Sequence, residues 1–183
     1  NRKPYEPKPL AENHKLEIIL TAKEIDGGEI KLVENKQELR VLGRIISLNE
    51  RLFLENKYIH DFLFGIIRWS EEEERNKAGM YIKTFELPAP AKLMFRLFRN
   101  WSIVENLNKI KFYKFLQAQT SKLYASSSAI GIIVISGDSD QNFIKVGRLF
   151  QRMWRKATKL GLSLQPITAI AYLGQRIFAG DTN

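Results

Sequence analysis

Two histidines, a run of four glutamates and one strongly basic helix are where the residue types of this chain could do chemistry. His60 is followed directly by Asp61, but neighbours on a helix diverge by about 100°. The pair therefore points two ways, and no nucleophile is placed beside it, so it is not a triad. His14 stands alone, and two histidines without a spaced cluster make no zinc pattern. With no cysteine in the chain, disulfides, thiolate chemistry and Cys-based metal sites fall away together. The run Glu71–Glu74 follows Ser70. Consecutive carboxylates point around a helix rather than at one point, and they suit a capped helix N-terminus, so we read them as a solvated face. G-x-S-x-G, P-loop and G-x-G-x-x-G patterns are all missing, which leaves hydrolase, kinase and nicotinamide-fold readings without support. The residues thus predict no catalytic side chain and no metal site.

The basic helix is more informative. Phe143, Val146, Phe150, Met153, Ala157 and Leu160 recur at spacings of three and four and form one apolar stripe. Lys145, Arg148, Arg152, Arg155 and Lys159 form a second stripe. Asp138, Ser139 or Asp140 can cap this helix, and Gly161 can stop it. An ordinary amphipathic helix under a sheet accounts for the pattern. Cations along a helix can also neutralise phosphates, but no clustered aromatic platform for stacking bases accompanies them. The chain as a whole carries a net charge of +9 over 183 residues, a balance that suits nucleic acid, anionic membrane or a phosphorylated ligand. The charge is spread over many helices with Glu interspersed, so generic basic surface explains it equally well.

Asn1–Leu10 holds three prolines and must be extended or turning. Ala11–Ile25 has a helical period, ended by Asp26–Gly28, and Glu29–Glu34 alternates as a short strand. Asn35 with Glu38 forms a capping box for a helix from Lys36 to about Asn56. Tyr58–Trp69 is a second, very apolar helix. Gly79–Leu87 has strand or extended character, Ala91–Trp101 is amphipathic, and Ile103–Leu123 continues helical. Ala129–Leu173 reads as strand (Ala129–Ser136), turn, helix (Phe143–Leu160) and a return to strand-like composition at Gly161–Leu173. The tally is helix-rich with three or four short strands, an α+β or mixed α/β layer arrangement. A hydrophobic fraction of 44% with 27% charged residues belongs to a soluble globular protein, and one domain over residues 1–183 is the default at this length. No apolar run approaches the roughly 20 residues of a membrane span. The cysteine-free composition fits a cytoplasmic location.

The run Val146-Gly147-Arg148-Leu149-Phe150-Gln151-Arg152-Met153-Trp154, then Ala157-Thr158-Lys159-Leu160-Gly161-Leu162, then Gln165-Pro166-Ile167 resembles the flavin-dependent nitroreductase family. The family pattern is "G-R-x-x-Q-R-x-W-L-x-A-T-x-L-G-L-x-x-Q-P", in which a long helix leads into a turn under the flavin. Asn1-Arg2-Lys3-Pro4-Tyr5 resembles the tail of the "R-x-T-N-R-x-P-Y" opening. Asn49, Trp69 and Gly79 fall roughly where long, two-part members have similar residues. The likeness covers nearly all of the chain loosely, and the Gly147–Ile167 block carries its specificity.

The resemblance implies a nitroreductase-like α+β fold, a helix-rich three-layer arrangement around a small mixed or antiparallel sheet. It implies FMN as cofactor, NAD(P)H as electron donor, and hydride transfer to a small-molecule acceptor such as a nitro compound or quinone. Arg2 would match the basic residue near the N1/O2 edge of the flavin, where a cation stabilises the reduced ring. Gln165, Pro166, Ile167, Thr168 and Ala169 would match the turn at the flavin, with the Thr168 backbone N–H as donor to ring atom N5. The chemistry would belong to the flavin, with no protein acid or base. The family's "S-x-x-N-x-Q-P-W" loop is missing, with only KEIDGG between Ala22 and Glu29. The resemblance therefore implies half a site. It would be completed by a second half-domain of a longer chain, of which this is the C-terminal portion, or by a partner chain in a homodimer. A domain of this fold that binds a ligand or partner without flavin turnover is the alternative, and a basic nucleic-acid-binding domain is a third reading.

Overall fold

The computed structural model describes residue 6, residues 8–169 and residues 174, 175 and 180. Helix α1 (Glu12–Leu20) tightens into a 3-10 turn at Thr21–Glu24 and leads to strand β1 (Gly28–Val33). Then come α2 (Lys36–Ile46), α3 (Leu48–Glu55), α4 (Lys57–Ile66), β2 (Ile67–Arg68), α5 (Glu71–Asn76) and β3 (Met80–Tyr81). A 3-10 turn at Ile82–Phe85 precedes α6 (Ala89–Leu97), α7 (Trp101–Lys109), α8 (Phe112–Ala125), β4 (Ile130–Ile135) and α9 (Asp140–Lys159). The result is a helix-rich α+β chain, with β1 antiparallel to β4 and β2 parallel to β3 in two-stranded pairs. No helix among the described residues is long and apolar enough to cross a membrane.

The described residues divide into two compact units, one of residues 43–122 with those from 167 on, the other of residues 6–42 together with 123–166. In the second unit, β1 and β4 pair with Ile30 opposite Ile133 and Leu32 opposite Gly131. Because side chains alternate along a strand, these residues share one face. That face joins Ile18 and Ala22 from the first helical segment and Leu149 and Met153 of α9 in a single apolar cluster. The opposite face carries Glu29 and Lys31 against Val134 and Ile132, the latter two 40% and 38% exposed. The sequence Ala129–Ser136 looks uniformly apolar, yet only half of it is needed for the core.

The first unit has an aromatic core. Phe64, Phe85 and Phe98 are buried with Leu54, Ile67, Ile82 and Val104, and Trp69, Phe95 and Trp101 pack against them. Asn56 starts α4 by accepting a hydrogen bond from the Ile59 N–H at 3.1 Å, the usual N-cap arrangement. Gly79 is required where it stands: a Cβ there would lie 2.3 Å from the Ile66 carbonyl oxygen.

Five elements differ from their sequence expectation, the first being the helix Tyr58–Trp69, which ends at Ile66 and passes into β2. The helix from Lys36 to Asn56 is interrupted at Ser47, which is fully buried and donates its hydroxyl to the Arg44 carbonyl at 2.9 Å. Such back-bonding bends helices. The strand expected over Gly79–Leu87 is reduced to Met80–Tyr81 and then becomes a 3-10 turn. Ile82 and Phe85 are both buried, and residues three apart share a side in 3-10 geometry but not in a strand. The long helix Ile103–Leu123 is split between Lys109 and Phe112, where Lys111 adopts a left-handed φ of 58°. Finally, Leu162–Thr168, the described front of the expected strand Gly161–Leu173, has no regular structure. Leu162 and Leu164 pack against the core of the second unit, and Pro166 has no N–H to give to a ladder.

Candidate functional site

Helix α9 is the scaffold of both candidate surfaces, and both of its ends are fixed by local chemistry. At its start Ser139 accepts from the Asn142 N–H at 3.4 Å, while the Asn142 amide donates to the Ser136 carbonyl at 2.8 Å. This closure passes over Gly137, whose φ is 85° and whose Cβ, if present, would lie 2.9 Å from the Asn142 amide nitrogen. At its end the Gly161 N–H reaches the Thr158 carbonyl at 3.1 Å and the Leu162 N–H reaches the Ala157 carbonyl at 2.9 Å. With Gly161 at a φ of 72°, these two bonds make a Schellman stop. The face of α9 turned to the core is Leu149, Met153 and Ala157, all buried. Leu149 replaces Phe143 as the anchor of the apolar stripe, since Phe143 is half exposed.

The Schellman turn hands the chain to the segment expected to touch a flavin. There Gln165 and Ile167 are half-buried and Pro166, Thr168 and Ala169 are exposed. The Thr168 N–H has no hydrogen-bond partner among the described residues. Arg2 lies outside the described residues. The segment Ala22–Gly28, where the resemblance calls for a flavin loop that the sequence lacks, is a tight connection. Ile25 accepts from the Gly28 N–H at 3.1 Å, and Ala22 and Ile25 are buried.

The basic stripe of α9 is partly engaged. Arg152 pairs with the Glu24 carboxylate, and Lys156 donates to Glu17 Oε2 at 3.0 Å. Between α9 and the 3-10 turn lies a groove of about 240 Å³ lined by Thr21, Glu24, Arg152, Arg155, Lys156 and Lys159. Its cations on α9 were legible as a stripe, apart from Lys156. Its other wall was not, because Thr21 and Glu24 are 128 or more positions away in sequence and no local signal links them.

The other candidates are structural. His60 is 1% exposed. Its Nε2 lies 2.7 Å from the Phe98 carbonyl oxygen and must carry a hydrogen and donate, while Nδ1 lies 3.1 Å from Asp61 Oδ1. The ring is packed against Phe64 and Trp101 with centroids 4.6 and 5.1 Å away, so it is a core histidine. Asp61 is held below the usual carboxylate range by its hydrogen bond from Lys57 and, next, by that with His60. In the acidic run, Ser70 caps α5 by accepting from the Glu73 N–H at 3.1 Å, and Glu73 accepts from the Trp69 N–H at 2.7 Å. That backbone bond lowers the Glu73 carboxyl. Glu71 pairs with Lys83 Nζ at 2.6 Å. His14 lies half-buried on α1. Among the described residues, no three of His, Cys, Asp and Glu gather as a metal-ligand group.

No protein-family model matches the chain, and no solved structure matches it. The chain is similar to a Mycobacterium tuberculosis protein named "Uncharacterized protein MT1398", 21% identical over 155 residues, covering 85% of this chain and 22% of that protein. The chain thus spans about a fifth of the length of the curated relative it matches.

Proposed function

We propose that this chain is an FMN-binding oxidoreductase domain of nitroreductase type, passing a hydride from NAD(P)H to a nitro compound, quinone or similar acceptor. The observation that carries the reading is the Gly147–Ile167 block. Its residues fall on α9, on the Schellman stop and on the irregular segment after it, the order of elements that the family pattern calls for. The exposed Thr168, with a backbone N–H that no described residue engages, fits a donor to an aromatic ring nitrogen. When bound, FMN would supply the hydride chemistry. By the resemblance, the chain's own part would be to hold the ring: Gln165, Pro166, Ile167 and Ala169 would match its contact edge, and Arg2 would match the cation near the N1/O2 edge. No side-chain acid or base is assigned. Completion of the site by a second half-domain or by another copy of the chain belongs to the same proposal, as does a nitroreductase-like arrangement of the layers.

A second reading, a domain of this fold that binds a ligand or partner without flavin turnover, is favoured by the Ala22–Gly28 connection. Its buried Ala22 and Ile25 and its closing hydrogen bond leave little chain there to wrap a cofactor. Adding FMN to the purified protein separates the two. The oxidoreductase reading expects uptake of the flavin and loss of its yellow colour when NADPH follows. A protein that stays colourless after FMN and gel filtration supports the second reading.

A further inference from the structure

We propose that the groove between α9 and the Thr21–Glu24 turn binds the phosphate group of a small, soluble phosphorylated ligand, independently of whether the chain binds flavin. Arg152, Arg155, Lys156 and Lys159 recur at i, i+3, i+4 and i+7, so they share one side of the helix. On an open helix such cations would spread into water. Here all four line a single concave groove of about 240 Å³ whose sole carboxylate among the described residues is Glu24. Like charges four apart on a helix repel, and this face stacks two such pairs, Arg152 with Lys156 and Arg155 with Lys159. The protein quenches both members of the first pair, Arg152 by Glu24 and Lys156 by Glu17. Arg155 and Lys159 have no carboxylate partner among the described residues.

Two uncompensated positive charges in one groove match a phosphate monoester, which is close to a dianion at neutral pH. The residue types match too. An arginine offers a planar fork for two phosphate oxygens, and a lysine adds a point charge with rotatable donors. The two carboxylate-bound cations then serve as fixed wall, with Glu17 and Glu24 holding their side chains in place. A groove for single-stranded nucleic acid would combine its cations with aromatic side chains on which bases stack, and the described lining, Thr21, Glu24, Arg152, Arg155, Lys156 and Lys159, includes none.

The test is calorimetric titration of the 183-residue protein with inorganic phosphate and with phenyl phosphate. Vesicles containing phosphatidic acid and a short DNA duplex serve as further arms. Saturable one-to-one binding of the soluble probes is expected, weakened about tenfold or more in Arg155→Gln/Lys159→Gln. The pair Lys145→Gln/Arg148→Gln, on the same helix but outside the groove, should bind as the parent does. Glu24→Gln should bind more tightly, because it removes the one competing carboxylate of the groove. The proposal is overturned by absence of saturable binding to either soluble probe, by equal losses in the two double variants, by weaker binding in Glu24→Gln, or by binding confined to vesicles or to the duplex.

Discussion

At the scale of single residues, His60 and Asp61 show how a pair that looks catalytic can be structural. The histidine is enclosed by aromatic rings, and its Nε2–H satisfies the Phe98 carbonyl. His60→Leu would leave that carbonyl without a donor inside the core, a loss of about 2 kcal/mol to be read from urea unfolding. Asp61 gives a pH signature of defined sign. Its folded value lies below that of the unfolded chain, first because of Lys57 and then because of His60. Its contribution is therefore complete above the unfolded value, near pH 4, and is lost as pH falls through the lowered folded value. The stability difference between the parent and Asp61→Asn should be flat above about pH 5 and shrink below about pH 4. A difference that grows on acidification would reject the assignment. In sequence, neighbours on one helix could be excluded as a triad, but the burial of His60 depends on Phe98, 38 positions on, and no local pattern announces it.

Among the elements, those with a cap or a strong period were legible. Ser70 before the glutamates, Ser139 before α9 and Gly161 after it all act at the helix ends where their types suggest. What failed was continuity. Ser47 and Lys111 sit inside runs whose apolar spacing continues on both sides, so the breaks come from a buried hydroxyl and a left-handed backbone rather than from composition. The Gly161–Leu173 stretch has strand-like residues, but in its described part Leu162 and Leu164 meet the core without a neighbouring strand. On α9 the periodic stripe was read with Phe143 at its head, whereas Leu149 is the residue most fully enclosed. Leu149→Ala should cost about 3 kcal/mol in chemical denaturation, and Phe143→Ala much less. Equal losses at the two positions would mean that the face of α9 turned to the core is misassigned.

For the molecule as a whole, helix-rich α+β character was readable from periods and turn residues, and the charge pattern of α9 was readable as a stripe. Each proposed surface was suggested by the sequence only in half: the resemblance pointed to Gln165–Ala169, and the spacing pointed to Arg152, Arg155 and Lys159. The residues that would complete either surface come from distant parts of the chain or, for Arg2, lie outside the described residues. The net charge of +9 fits anionic ligands in general and decides nothing between a flavin phosphate and another phosphate ester. The central claim, FMN-dependent hydride transfer, is tested most directly by loading the purified protein with FMN, removing the excess, and adding NADPH without oxygen. The account predicts that the flavin absorption is retained after gel filtration, bleaches with NADPH and returns on addition of a quinone. A preparation that retains no flavin, or a bound flavin that NADPH leaves unbleached, would contradict it.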